Sequence, residues 1–356
     1  MNVFSIIILC YFYVYGIILV YISYLAKTNG EKGAFINNLI NALILIISIT
    51  FNLLLIIFFP FLNWEFLVFP FNLLMLGFIG IFLPLFYLFT SREKKKIKKL
   101  DQNLEITQLT SFKELPLKYE IYRKLTHLIV LGIIFFYFTL GFWIKNFFAY
   151  ILEFVPDFIS NMFHMGGDIM FFTQNLVVFL VGVSLIGLLT ADFIRILTPE
   201  NYPLKPINQL LREKELGMRL GSHISMSIGC FSIIILYGLI IPIGPVIICT
   251  SMTMTIFSDM TSNLVGRTLG RKKIRDTNKT YEGLFAGILV AFLTGLLVFY
   301  LLRDFYNFSI FGLFLIPLIG TVIVGLLDYL DLEIDDNLSY NFCISSVLFF
   351  VSVFII

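Results

Sequence analysis

From Thr255 to Gly283 the chain reads TIFSDMTSNLVGRTLGRKKIRDTNKTYEG, and this stretch is wedged between two apolar runs. Thr255, Asp259, Ser262, Asn263 and Gly266 recur at i, i+4, i+7, i+8 and i+11, which places them in one polar stripe along an otherwise apolar helix. Such a stripe faces protein or water, because an unpaired carboxylate near the end of a membrane span costs up to a few kcal/mol. Asp259 is therefore either a structural aspartate bonded to a neighbouring helix or a metal ligand. Directly after the stripe come Arg267, Gly270-Arg271-Lys272-Lys273, Arg275 and Asp276, and then Lys279-Thr280-Tyr281-Glu282-Gly283 opens the next apolar run. Glycines let backbone amides approach phosphate oxygens, and a helix N-terminus with Lys and Arg completes an anion site. A basic loop alone is only a topology signal; joined to the stripe, it has the parts that hold a Mg²⁺-bound polyphosphate. The pattern G-x-x-x-x-G-K-[ST] does not occur in it, so it is not a P-loop.

Outward from this stretch, composition sets the class. Hydrophobic residues make up 59% of the 356 and charged residues 13%, about half of the roughly 25% usual for soluble domains. Windows of about 20 apolar residues predict an all-α, polytopic integral membrane helical bundle of ten spans, near 3–25, 35–60, 66–89, 126–145, 174–195, 222–241, 243–266, 283–302, 309–327 and 339–356. Residues 1–100 read as an amino-terminal unit that ends in a basic stop-transfer segment, and 101–356 as the transmembrane unit that carries the polar motifs. The segment from Phe147 to Ile159 reads as a loop or an interfacial helix, and 101–120 as a surface helix along the headgroups. The first span has no basic n-region and no small-residue cleavage site, so it is expected to be retained. Cys10, Cys230, Cys249 and Cys343 stand singly in apolar spans and read as small core residues. No repeat of 20–50 residues is visible, which disfavours the repeat-built transporter folds.

With the amino terminus outside, every Lys and Arg except Lys145 and Arg303 falls on the same side of the membrane. That is the positive-inside signature, and it predicts a cytoplasmic face for the polar loops. The run Ser-Arg-Glu-Lys-Lys-Lys-Ile-Lys-Lys at 91–99 reads as a stop-transfer and anionic-lipid anchor. A bilayer partner follows from composition; no nucleic-acid partner is expected, and nothing in the sequence reports an oligomeric state.

Further polar groups gather at that face. Glu120-x-x-Arg123-Lys124-x-x-His127 opens the fourth span, and Arg123 and His127, four apart, share one helical face. Asp192-x-x-Arg195 closes the fifth span and reads first as an ion pair tying helix ends. Arg212-Glu213, with Gly217 and Gly221, leads into the sixth. His164 and His223 read as structural. Asp328, Asp331, Glu333, Asp335, Asp336 and Asn337 form an acidic cluster before the last span. The cluster is either a solvated loop or, through Asp335-Asp336-Asn337, a source of oxygen ligands for a second metal or the acceptor headgroup.

Taken in order, Glu120-x-x-Arg123-Lys124-x-x-His127, Asp192-x-x-Arg195, Arg212-x-x-Glu215 or Arg212-Glu213, Asp259 with Gly266 and Gly270, Lys279-Thr280-x-Glu282-Gly283 and Asp335-Asp336-Asn337 resemble the dolichol kinase, phytol kinase and diacylglycerol kinase family. The resemblance covers about residues 118–356. It is shared in part with the related phosphatidate cytidylyltransferases; Arg-Lys-x-x-His before the core and Asp-Asp-Asn at its end favour the kinases. Met260-Thr261-Ser262-Asn263 departs from the small apolar residues usual after the family's Asp. The resemblance implies CTP as phosphoryl donor and a lipid alcohol, most simply a polyprenol, as acceptor. Under it, Asp259 with Asn263, and Asp336, hold Mg²⁺; Lys279 and Arg271 to Lys273 neutralise phosphoryl charge; and the Gly266 to Gly270 turn, Thr280 and Gly283 contact the nucleotide. Glu282 orients Lys279 or the metal, Arg123 and Lys124 complete the pocket, and His127 is the general base. Two alternatives stay open: a cytidylyltransferase making a CDP-lipid, and a transporter.

Overall fold

Apolar runs of this length leave the backbone one way to satisfy its own hydrogen bonds in lipid, and the chain takes it: long helices, with no strand among the described residues. The computed structural model describes residues 3–58, 66–100, 117–157, 169–204, 208, 211–275, 277–305, 309–332 and 334–355. Its helices are α1 (Val3–Thr28), α2 (Lys32–Phe58), α3 (Phe71–Leu100), α4 (Leu117–Leu128), α5 (Gly132–Phe135), α6 (Gly141–Leu152), α7 (Ile169–Leu197), α8 (Glu213–Leu216), α9 (Ser222–Tyr237), α10 (Ile243–Thr268), α11 (Tyr281–Leu302), α12 (Ile310–Leu330) and α13 (Asp336–Ile355). Nine helical segments among the described residues are long and apolar enough to cross a membrane, and α9 is a shorter tenth. The outer face of α11 shows why a bilayer is needed: Phe285, Leu289, Leu293 and Leu297, at i, i+4 spacing, are all more than half exposed.

The two central helices are α9 and α10. In α10, 89% of the most apolar window is buried, against 11% in α3, so α10 forms the axis and α3 the rim. Side-chain contacts fix the directions. Asn38 Nδ2 donates to the Met218 carbonyl at one end of α2, and Asn52 Nδ2 donates to the Ile235 carbonyl further along, so α2 and α9 run parallel. Tyr237 and Ser346 hydroxyls meet at 2.7 Å at the far end of α9, which makes α13 parallel to it as well. Alternation along the chain then brings the ends of α1, α3, α7, α10 and α12 and the starts of α2, α4, α9, α11 and α13 to one end of the bundle, the same grouping the charge asymmetry requires.

The fourth span differs from expectation. It is a broken helix in which a 3₁₀ turn (Ile129–Leu131) and a π segment (Phe136–Leu140) separate α4, α5 and α6. Phe147 to Leu152 therefore continue this span and are not a separate interfacial helix, while 158–159 lie outside the described residues. Gly141 permits the π segment, because a Cβ there would sit 2.0 Å from the Phe136 carbonyl oxygen. Cys230 and Cys249 are buried as expected, whereas Cys10 is exposed on the outward face of α1, where lipid is its surrounding. His164, Asp276, Glu333 and residues 101–116 of the expected surface helix lie outside the described residues; 117–120 begin α4.

Candidate active site

At the end where the polar loops meet, a cavity of about 630 Å³ opens among five separated segments. Arg123 and Lys124 reach it from α4, Arg212, Glu213 and Lys214 from the start of α8, and Asp259, Asn263, Gly266 and Arg267 from α10. Lys279 and Thr280 enter ahead of α11, and Asp328, Asp331, Asp335, Asp336 and Asn337 from the turn joining α12 to α13. Six of the lining side chains are basic and six acidic. The balance leaves no net positive field, so a polyphosphate would need a cation of its own to bind there.

Asp259 sits on the polar stripe expected for it, and both of its oxygens are engaged. Lys124 Nζ donates to Oδ2 in a direct ion pair, and Asn263 Nδ2, one helical turn on, donates to Oδ1 at 2.7 Å. The i, i+4 spacing of Asp259 and Asn263 makes that second contact.

Lys279 is the second centre. Its ammonium lies 3.0 Å from Asp328 Oδ1, 3.0 Å from Asp331 Oδ1 and 3.5 Å from Asp336 Oδ2. Asp328 is itself held by the Ser262 hydroxyl at 2.9 Å and the Tyr340 hydroxyl at 2.8 Å. Burial acts against the charge on Lys279, but the carboxylates of Asp336, Asp328 and Asp331 outweigh it and hold the ammonium's pKa well above the ordinary lysine value. Of the two roles expected for Glu282, orienting Lys279 or the metal, the first is overturned. The Glu282 carboxylate instead accepts the Lys272 backbone N–H at 3.3 Å, and the nearest acids to Lys279 come from the α12–α13 turn.

The basic stretch between α10 and α11 is a clasped hairpin. The Ile274 N–H donates to the Lys279 carbonyl at 2.9 Å and the Tyr281 N–H to the Lys272 carbonyl at 3.0 Å. This turns Arg271, Lys272 and Lys273 outward, where they are exposed and away from the cavity lining. The glycines are also placed differently from the expected phosphate turn. α10 continues through Gly266 to Thr268, and a Cβ on Gly283 would lie 2.6 Å from the Ser262 carbonyl and 3.1 Å from Gly266 Cα. Gly266 and Gly283 thus let α10 and α11 pack backbone to backbone. Gly270 sits against Thr280 in the same seam, and the Gly283 N–H is taken by the Thr280 hydroxyl, which caps α11.

Asp192 and Arg195 are both buried and pair at 2.5 Å, but they stand beside the cavity rather than in it. Arg195 donates to the carbonyls of Glu215 (2.6 Å), Gly217 (3.3 Å) and Arg219 (2.8 Å), and the Gly221 N–H donates to Asp192 (3.3 Å). The pair therefore shapes the 212–221 loop that carries Arg212 and Glu213 into the cavity. Asp335 caps α13, its Oδ1 accepting from the Asn337 N–H (3.0 Å) and the Asn337 side-chain amide (2.9 Å). Burial opposes the Asp335 charge; Arg219, Arg123 and the Asn337 amide outweigh it and hold its carboxyl below the usual carboxylate range. Asp335 and Asn337 are thus committed to the helix start, and of the triplet only Asp336 reaches Lys279.

Sequence reasoning missed the amino-terminal contribution. Asn37 Oδ1 on α2 accepts the Asp335 N–H at 2.9 Å; Asn38 accepts the Leu220 N–H at 3.0 Å; and Glu31 accepts the Met218 N–H at 3.0 Å. These residues hold two of the cavity's loops from the side. Lys214 also lines it without having been singled out, and Arg267 is the one cation of the 267–273 stretch that does so. His127 lies one turn below Arg123, 3% exposed, with no hydrogen-bond partner for Nε2, and faces a second, apolar cavity.

Among the described residues no three of His, Cys, Asp and Glu form a preformed metal shell. Mg²⁺ delivered with a polyphosphate needs only one or two protein carboxylates, and the oxygen-only set offered by Asp259 and Asp336 fits that demand. Comparison of the chain with protein-family models, curated proteins and solved structures finds no match.

Proposed function

We propose that this chain is an integral membrane phosphotransferase that moves the γ-phosphate of a nucleoside triphosphate, CTP by the resemblance of its motifs, to the hydroxyl of a lipid alcohol at the cytoplasmic face. The observation that carries the reading is one cavity in which the Lys124–Asp259 pair and the Lys279 carboxylate cluster stand together, adjoined by an apolar cavity through Arg123 and Ser222. A water-soluble donor and a bilayer-bound acceptor need such a boundary site.

Asp259, oriented by Asn263, and Asp336 would hold Mg²⁺, which supplies charge neutralisation on the phosphates when bound. Arg123, Arg212 and Lys279 bind the triphosphate oxygens, and Lys124 is the ammonium that shifts between Asp259 and the donor. In the transfer, the acceptor oxygen forms a bond to the γ-phosphorus while the bond from that phosphorus to the β,γ-bridging oxygen breaks. The hydroxyl proton passes to His127 Nε2, and the nucleoside diphosphate leaves with the bridging oxygen. Positively charged groups are fixed before the reaction, so they stabilise developing charge without reorganising.

The test is purified protein with Mg²⁺, a polyprenol or another lipid acceptor, and CTP labelled at the α or γ position. Label entering lipid from the γ position, and its loss in Asp259→Asn by at least about 100-fold, is the expected result. Label from the α position would mean nucleotidyl transfer and would overturn the reading, as would an Asp259→Asn protein with full turnover.

A further inference from the structure

A seam of buried polar side chains continues from the polar cavity into the apolar bundle. It runs through Asn41, Ser48 and Asn52 on α2, Ser225 and Ser232 on α9, and Asn341 on α13, none of them more than 1% exposed. Spacings of seven and eleven residues keep each set on one helical face. The seam begins at the cavity wall: Ser222 and Asn337 line the cavity, and Ser225 and Asn341 follow them by three and four residues. Asn38 Nδ2 bonds the Met218 carbonyl at 2.8 Å and Asn52 Nδ2 the Ile235 carbonyl at 2.7 Å, a register that sets Asn41 beside Ser225 and Ser48 beside Ser232. A Cβ built on Gly229 would meet Asn341 Cβ at 3.6 Å, which brings α13 to the same stretch of α9. In helical projection Ser225 and Ser232 fall between Gly229, which meets α13, and Ile235, which meets α2.

Along this seam the hydrogen bonds do not close. Asn41 and Asn341 each donate Nδ2 to the carbonyl one turn back, at 2.8 and 2.7 Å, and Asn52 donates to Ile235. A carbonyl accepts only a donor, so these bonds fix the amides with Oδ1 turned away, and all three Oδ1 atoms have no partner. The hydroxyls of Ser48, Ser225 and Ser232 have none either. Hydroxyls elsewhere in α9 and α10 bond the carbonyl one turn back, as Ser227, Thr250 and Thr253 do. Six uncharged oxygens are thus buried together, each at a cost larger than an ordinary hydrogen bond returns. There is also room beside them, because a Cβ on Gly229 would meet nothing closer than 3.5 Å.

We propose that this seam is a water-binding site that extends the polar cavity into the bundle, with one position bridging Asn41, Ser225 and Asn341 and a second bridging Ser48 and Ser232. Water suits the donor set: it donates to the amide oxygens, accepts from the serine hydroxyls, and needs no charge to compensate. Bridged water joins α2 to α9 and α13. Asn37, one turn from Asn41, accepts the Asp335 N–H, so hydration of the seam sets how firmly α2 holds the turn that carries Asp336. The assignment is independent of the phosphotransferase reading, and its test uses no transfer assay.

The full-length protein in lipid nanodiscs is exposed to brief X-ray pulses, which turn bound water into hydroxyl radicals, and side-chain oxidation is mapped by mass spectrometry. Leu45 lies between Asn41 and Ser48, and Leu338 lies against Gly229; both are 0% exposed, as are Leu19 on α1 and Leu185 on α7, away from the seam. The expected result is oxidation of Leu45 and Leu338 at least about fivefold faster than of Leu19 and Leu185. Equal rates at the four leucines overturn the proposal. Gly229→Ala is expected to bring Leu338 down to the control rate and to lower the melting temperature. In a dry seam the added methyl fills space in a better helix former and raises it. Ser225→Ala and Ser232→Ala divide the same way: each lowers the melting temperature if water loses a partner, and each raises it if the hydroxyl was an orphan. A melting temperature that rises when Na⁺ replaces choline at constant ionic strength, and does so only while Asn41 and Asn341 are intact, would assign the oxygens to a cation and overturn the water assignment.

Discussion

Two segments at the same end of the bundle have exchanged the roles their sequences advertise. The 269–275 stretch is dense in Arg, Lys and Gly, yet Arg271, Lys272 and Lys273 point to water from a hairpin clasped by its own backbone. α2 is an apolar helix with scattered asparagines, yet Asn37 and Asn38 bond directly to the loops that build the cavity. Charge is inexpensive on an exposed loop, where solvent satisfies it, so its density there says little. An amide buried in an apolar helix is costly unless bonded, so its partner is the informative feature.

The sharpest way to separate these segments is at Lys279, the one cation of the hairpin region that turns inward onto three carboxylates. Lys279→Met leaves Asp328, Asp331 and Asp336 without their shared counter-charge. The expected loss is 10²-fold or more in turnover and about 2 kcal/mol of stability, below the 3–5 kcal/mol of a fully buried pair because Lys279 is 22% exposed. Turnover and detergent melting measured on the same preparation check both; a variant with wild-type kinetics would return Lys279 to the class of its exposed neighbours.

Asn37→Leu tests the other side of the comparison. It removes the acceptor of the Asp335 N–H from a buried position, with an expected cost of about 1–3 kcal/mol. The start of α13 would loosen, moving Asp336 relative to Lys279, and Mg²⁺-CTP affinity is expected to fall about tenfold. A purely structural role predicts a lower melting temperature with unchanged affinity at low temperature, so titration at 4 °C distinguishes the two. Restored affinity in Asn37→Asp, which keeps an acceptor oxygen, completes the argument.

What sequence could reveal follows the range of the interactions. Nine of the ten spans were legible because hydropathy is local, the sixth being shorter than expected, and Asp259 with Asn263 because four residues of helix make them neighbours. The break in the fourth span was hidden, since its π segment depends on a close approach at Gly141. The partners of Lys279 were hidden too. Glu282 is three residues away in sequence and drew the assignment, while Asp328 is 49 away and takes the contact. In sequence Gly266 and Gly283 read as phosphate-binding glycines, and only the facing backbone of the two helices reveals their packing role. Asn37 had no signal beyond being polar in an apolar span.

A smaller effect isolates charge from capping at Asp335. Asp335→Asn keeps the side-chain oxygen that caps α13 but removes the carboxylate beside Arg219 and Arg123. The folded-state pKa is depressed, so the charge contributes stability that is fully present above the unfolded value of about 3.9 and is lost as pH falls through the lower folded value. Wild type should therefore exceed the variant by about 1 kcal/mol at pH 7. The gap should persist to about pH 4 and close below it. A gap that is constant into strong acid would mean that geometry, not charge, makes the difference.

The smallest effect is expected where the sequence looked strongest. Replacing Arg271, Lys272 and Lys273 together by Gln removes three exposed charges, each separated from the cavity by the hairpin. Exposed charges are screened beyond about 8–10 Å at physiological ionic strength, so Mg²⁺-CTP affinity at 0.15 M salt should change by less than about twofold. At 0.01 M salt the screening length grows to about 30 Å, and a modest loss of affinity should then appear through reduced long-range attraction. The salt dependence is the decisive reading. A loss of tenfold or more that persists at high salt would require these side chains to touch the phosphates, and the contrast with α2 would then fail.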